Sequence, residues 1–276
     1  MSWFDALILG IVEGLTEYLP VSSTAHILLA QRALGIQPGP AADAYAIVIQ
    51  GGAIVAVLGL YARRVWEMLQ GIAGRNPAGL RLAIQIVVAF VPAVIVGLLF
   101  KDQIKKYLFH LWPICGAWFV GGVVILIAAM VLRRRAWNAG TGLADLTLQG
   151  AVVIGLLQCF GMIPGTSRSL VTILGGLVVG LNMAAALEFS FLLGLVTLTA
   201  ATAHDAYKHG ADIRTAYEPL TIAVGFVAAA FAVFVAVKGM IAYLQSRGLA
   251  VFGWYRIVLA LVVAWLLYTG RLAPGS

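Results

Sequence analysis

Charge is scarce in this chain: 11 acidic and 18 basic residues stand among 276, so only 11% of the sequence is charged while 62% is hydrophobic. So little charge excludes an ordinary soluble domain and predicts a polytopic membrane protein. Cysteine is scarcer still. Cys115 and Cys159 are the only two, both in apolar segments and at no metal-ligand spacing, which predicts packing roles rather than a disulfide or zinc. No linker, low-complexity tract or heptad run divides the sequence. The N-terminus lacks a basic leader region and a small-residue cleavage site, so it is expected to be retained. The basic excess, a formal net charge of +7, is scattered along the chain with no soluble domain to present it. That argues against nucleic-acid binding and for a role in topology and anionic-lipid contact.

What the chain does have is long apolar blocks. Residues 43–62, 82–100, 112–132, 184–203, 219–245 and 252–270 each approach or exceed the roughly 20 residues that a helix needs to cross about 30 Å of hydrocarbon. Six full transmembrane helices are expected. Tyr45, Trp254 and Tyr255 stand at the starts of the first and last blocks, where interfacial anchors often occur.

Two further apolar regions are interrupted. Residues 3–19 and 22–35 flank Pro20, and residues 147–163 and 167–181 flank Pro164-Gly165, where the missing proline N–H and fixed φ favour a break. Neither region holds two full crossings. Broken backbone at membrane depth survives only where protein or water satisfies its polar groups, so each region reads as a re-entrant helical hairpin with its tip inside the protein. A pair of kinked spans is the other reading.

An internal repeat favours the hairpins. Pro20 and Pro164 lie 144 residues apart, as do Ser23 and Ser167, and as do Ala44 and Glu188 at the starts of the following spans. Gly10 to Glu13 echoes Gly155 to Gln158 at a spacing of 145. The whole chain, 1–276, reads as one all-α membrane domain built from two units, about 1–135 and about 145–276. Each would hold one hairpin and three spans, an odd number of crossings that gives an inverted-topology repeat with the tips meeting near the midplane. For orientation, the side formed by 63–81, 133–147 and 238–252 carries Arg63, Arg64, Arg75, Arg81, Arg133, Arg134, Arg135, Lys238, Arg247 and, at the start of the following span, Arg256. The opposite side carries Arg32, Lys101, Lys105, Lys106, Lys208, Arg214 and Arg271. The richer side is expected in the cytoplasm, with both termini outside.

The polar residues inside the two interrupted regions mark the working site, because intramembrane charge is costly unless paired or functional. The first region reads Glu13-Gly14-Leu15-Thr16-Glu17, then Pro20-Val21-Ser22-Ser23-Thr24-Ala25-His26. Glu13 and Glu17 share a helix face, so either one is protonated or a hard divalent cation, magnesium or calcium, sits with them. His26 follows Ser23 by three residues on one face. Hydroxyl, imidazole and carboxylate together are the ingredients of an activated nucleophile with a proton carrier. The second region reads Pro164-Gly165-Thr166-Ser167-Arg168-Ser169-Leu170-Val171-Thr172. There a helix start with hydroxyls and a planar guanidinium suits phosphate oxygens, although hydroxyls also cap helices and Arg168 could instead pair with a glutamate.

These motifs resemble the signature segments of the undecaprenyl-diphosphate phosphatase family of the bacitracin-resistance type, and the resemblance spans essentially the whole chain. It implies hydrolysis of a polyprenyl diphosphate lipid to the monophosphate and inorganic phosphate, which recycles the carrier used in peptidoglycan synthesis. It also implies a divalent cation, a bacterial inner-membrane location and a site open to the periplasm. By position it assigns function to Glu13, Glu17, Ser23, His26, Ser167, Arg168, Ser169 and Thr172. Ala25 and Leu170 depart from the family pattern, each standing where a glycine is usual, which puts local backbone detail in question. Ser23, His26 and an activated water remain alternative nucleophiles. A secondary transporter or lipid translocase is the alternative class, because broken helices in inverted repeats also serve alternating access. The small-residue stretch 223–230 admits helix association, including a homodimer.

Overall fold

The computed structural model describes residues 1–37, 39–132 and 139–273. Arg133, Arg134 and Arg135, counted above toward the basic side, lie outside the described residues, as do the side chains of Lys208, His209 and Arg214. The described chain is helical: α1 (Trp3–Thr16), α2 (Ser23–Ala33), α3 (Pro40–Leu60), α4 (Ala62–Ile72), α5 (Pro77–Leu108), α6 (Leu111–Leu132), α7 (Leu148–Gln158), α8 (Arg168–Val178), α9 (Met183–Ala216), α10 (Pro219–Arg247) and α11 (Ala250–Tyr268).

Six of these, α3, α5, α6, α9, α10 and α11, are long and apolar enough to cross a membrane. They coincide with the six expected blocks because in lipid every backbone N–H and C=O must be satisfied within the segment, and a helix does so by itself. α1 has 14 residues and α2, α7 and α8 have 11 each, so at 1.5 Å per residue they reach only about 21 and 17 Å. They pair as α1 with α2 and α7 with α8. Each pair breaks beside its proline. Glu17 is still helical and Ser22 turns the chain at φ 74°, while Ile163 is extended before Pro164 and Ser167 turns the chain at φ 76°. Ser22 and Ser167 are the two non-glycine residues with positive φ among the described residues.

Two expectations are corrected. Residues 63–81 are not one loop. α4 forms there because Val65, Trp66, Leu69 and Ile72 recur at helical spacing opposite Arg63, Arg64, Glu67 and Gln70, a pattern too short to register as a span. Arg63 and Arg64 pair with Glu67 at 3.0 and 2.9 Å, and the Arg64 hydrogen bond in particular holds the Glu67 carboxyl below its ordinary pKa. Arg256 is not a charge at a membrane surface but lies on α11, fully buried. Of the three aromatic anchors, Trp254 and Tyr255 are exposed, whereas Tyr45 is buried and donates to the Thr221 carbonyl at 3.1 Å.

Contacts divide the chain into two compact units. The first comprises Met1–Leu19, Ser23–Ala83 and Phe191–Gly239. Its core includes Ala6, Leu9, Ile27, Tyr45, Ile49 and Ala229. The second comprises Pro20–Ser22, Ile84–Ser190 and Met240–Ser276. There α6 and α11 pack at glycines: a Cβ on Gly122 would stand 2.8 Å from the Gly253 carbonyl oxygen, and one on Gly253 would stand 2.9 Å from that of Gly122.

Candidate active site

In the first unit, α1 lies directly against α10 because neither helix has bulk at the crossing. A Cβ on Gly10 would stand 2.5 Å from the Gly225 oxygen, and one on Gly14 would stand 2.5 Å from the Ala229 oxygen. The small-residue stretch 223–230 therefore serves helix association within the chain. This contact buries one face of α1, that of Ala6, Gly10, Glu13 and Gly14. Glu13 and Glu17 are consequently only 5% and 9% exposed. The Glu17 N–H donates to the Glu13 carbonyl at 2.9 Å, which confirms the helical spacing that puts the two carboxylates side by side.

Ser23 opens α2, and its hydroxyl donates to Glu17 Oε2, so a buried serine and a buried carboxylate form one hydrogen-bonded pair. His26 stands three residues further along α2, half-buried, while Thr24 is exposed. A hydroxyl already bonded to a carboxylate has a proton acceptor in place, the arrangement that makes a serine nucleophilic.

In the second unit, α8 carries the other motif. Ser167 caps it, accepting from the Leu170 N–H at 3.3 Å, and its Oγ lies 2.9 Å from that of Ser169. Arg168 donates from Nη1 to the Ser190 carbonyl at 3.2 Å, and Thr172 Oγ1 lies 2.6 Å from Ser190 Oγ. Ser169, Thr172 and Ser190 are fully buried, whereas Arg168 keeps partial exposure. Ser190, which lies within the expected span 184–203, thus ties the motif to α9. Sequence reasoning missed it because one hydroxyl in an apolar helix commonly bonds its own backbone.

The same unit contains the first tip, residues 20–22, and there the two tips meet. Ser22 Oγ accepts from the Gly165 N–H at 3.2 Å, and the Val21 carbonyl accepts from Trp118 Nε1 at 2.9 Å. Of the paired serines, Ser22 therefore holds the second tip while Ser23 holds Glu17. Arg256 also reaches both tips, and its only sequence signal was a lone arginine within an apolar block. Glu13, Glu17, Ser23 and His26 belong to the first unit, and Ser167, Arg168, Ser169 and Thr172 to the second.

Six helices long and apolar enough to cross a membrane, with buried carboxylates and serines at two proline-broken helix pairs, define a polytopic membrane protein with polar groups set at interrupted helices. The family model described as bacitracin resistance protein BacA matches residues 6–262, and the chain belongs to that family. Its relatives include an undecaprenyl-diphosphatase of Sorangium cellulosum, 45% identical over 96% of this chain and 87% of the relative. Undecaprenyl-diphosphatase 2 of Rhodospirillum rubrum is 44% identical over 96% of this chain and 95% of its own, and undecaprenyl-diphosphatase 1 of Chromobacterium violaceum is 43% identical over 97% of each.

Proposed function

We propose that the protein is a membrane undecaprenyl-diphosphatase, hydrolysing undecaprenyl diphosphate to undecaprenyl phosphate and inorganic phosphate and so returning the lipid carrier to peptidoglycan synthesis. The names of the relatives support the substrate. The observation that carries the chemistry is the hydrogen bond from Ser23 to Glu17. Arg168 binds the phosphoryl oxygens through its planar fork, and Ser167, Ser169 and Thr172 shape the helix start that complements their charge. Ser23 Oγ attacks the terminal phosphorus and passes its proton to Glu17. The bond from that phosphorus to the bridging oxygen breaks, its electron pair leaves with undecaprenyl phosphate, and His26 protonates the departing oxygen. Water then attacks the phosphoserine and gives a proton to His26. Inorganic phosphate departs as Glu17 returns its proton to Ser23, which closes the cycle.

Glu13 and Glu17 also suit magnesium or calcium. No group of three or more His, Cys, Asp or Glu side chains capable of holding a metal occurs among the described residues. Two carboxylates completed by water and substrate oxygens fit a hard cation, and such an ion would offset charge on the phosphoryl oxygens. The two helix pairs are read as re-entrant hairpins of an inverted repeat, units about 1–135 and 145–276. Their shortness and the matching turns at Ser22 and Ser167 support this. The site opens to the periplasm, where both termini lie.

The test is phosphate release from undecaprenyl diphosphate by purified protein in detergent, where no gradient exists to drive a transporter. Release by the wild type, its loss in Ser23→Ala and Arg168→Ala, and its reversible loss on chelation are expected. Undiminished release by folded Ser23→Ala would remove the serine from the attacking role.

A further inference from the structure

Arg256 is a fully buried arginine in a membrane span, and its partners are all main-chain carbonyls among the described residues. A guanidinium has five N–H donors. Here all five are engaged. Nη1 donates to the carbonyls of Pro20 at 3.1 Å and Thr166 at 3.0 Å, and Nη2 donates to those of Gly165 at 2.7 Å and Ala117 at 3.0 Å. Nε donates to Trp118 at 3.4 Å. Pro20 belongs to the first tip, and Gly165 and Thr166 belong to the second, where the interrupted backbone leaves carbonyls without a helical donor.

The slot for this side chain is built by an absent one. A Cβ on Gly121 would stand 2.1 Å from Arg256 Nη2. Trp118, itself fully buried, adds the bond to Val21, so the first tip is held at consecutive carbonyls by a guanidinium and an indole. A lysine offers its donors from one nitrogen and lacks the fork that reaches three segments at once. A role in packing alone would not require three of the five donors to be spent on the turns that precede Ser23 and Arg168 while the other two anchor the guanidinium to α6.

We infer that Arg256 is a positioning residue of the reaction: it ties the two interrupted turns together and thereby fixes the backbone that presents Ser23 and Arg168. This rests on the reading of the protein as a diphosphatase. It acts through the tips and touches no reacting atom. Its loss should therefore displace catalytic groups with little effect on binding of the prenyl chain, and displacement of about 1 Å can lower turnover about 10²-fold.

The experiment measures kcat and KM for phosphate release from undecaprenyl diphosphate, together with amide exchange of peptides covering residues 19–24 and 163–168, in wild type, Arg256→Met, Arg256→Lys and Gly121→Ala. Expected are kcat lower by about 10²-fold with KM within about threefold, no rescue by lysine, and faster exchange at both tips together. Gly121→Ala, which displaces the guanidinium and keeps the charge, should reproduce this and carries the test if Arg256→Met cannot be recovered folded. Wild-type kcat in a folded variant, or unchanged exchange at the tips, overturns the inference. If the wild type itself releases no phosphate, the diphosphatase reading falls, and tip exchange alone decides the tether.

Discussion

Ser22 and Ser23 are adjacent in sequence and divided in duty. Ser22 holds the Gly165 N–H, and Ser23 holds the Glu17 carboxylate. Removing the first hydroxyl leaves a buried amide without its acceptor, which costs about 1–3 kcal/mol, and leaves the serine–carboxylate pair in place. Ser22→Ala should therefore lower the thermal midpoint in detergent and retain measurable phosphate release, whereas Ser23→Ala should keep its midpoint more nearly and release none. The reverse pattern would exchange their roles. A cluster of hydroxyls after a proline was legible as more than a helix cap, because capping needs only one of them. Which hydroxyl does what was not legible, since that depends on a positive φ at Ser22 that no sequence rule assigns to serine. Arg256 was misread for a related reason. A basic residue near a span end looks like a topology signal until the neighbouring helices show glycines where it needs room.

At the scale of elements, the six long helices were readable because a lipid core imposes one length on any span. α4 was not, since its apolar residues are interleaved with Arg63, Arg64 and Glu67 and never form a block. The short helices were readable from their prolines, and the crossing of α1 with α10 depends on two glycines whose role only packing reveals. Gly14→Val would drive methyl groups into the Ala229 carbonyl and the Ala232 side chain, each 2.5 Å from the first added carbon. Such overpacking costs about 1–3 kcal/mol. The expected outcome is a lower thermal midpoint together with reduced phosphate release, because Glu13 and Glu17 ride on the displaced helix. An unchanged midpoint would mean that α1 tilts away without loss.

For the whole molecule, orientation is the property that most affects function, since a site facing the periplasm would act on lipid present on that side of the membrane. Arg256, being buried, leaves the count of surface charges on the basic side. Direct labelling decides the orientation. Ser2→Cys should react with an impermeant thiol reagent in intact spheroplasts, while Arg75→Cys, in the turn between α4 and α5, should react only after the membrane is opened. Labelling in the opposite sense would place the termini in the cytoplasm. Family membership over residues 6–262 was anticipated by the paired motifs, which are specific in kind and spacing.

Synthesis runs from the N-terminus, so Pro20 is made long before the residue that holds it. Arg256 lies on the sixth long helix, and the turn at Pro20 has to wait for some 236 further residues to be inserted before its carbonyl finds its donor. A nascent chain that stops before α11 would carry the serine, the carboxylates and Arg168 and still lack their tether. The contact that holds the two turns is thus among the last that the growing chain can make.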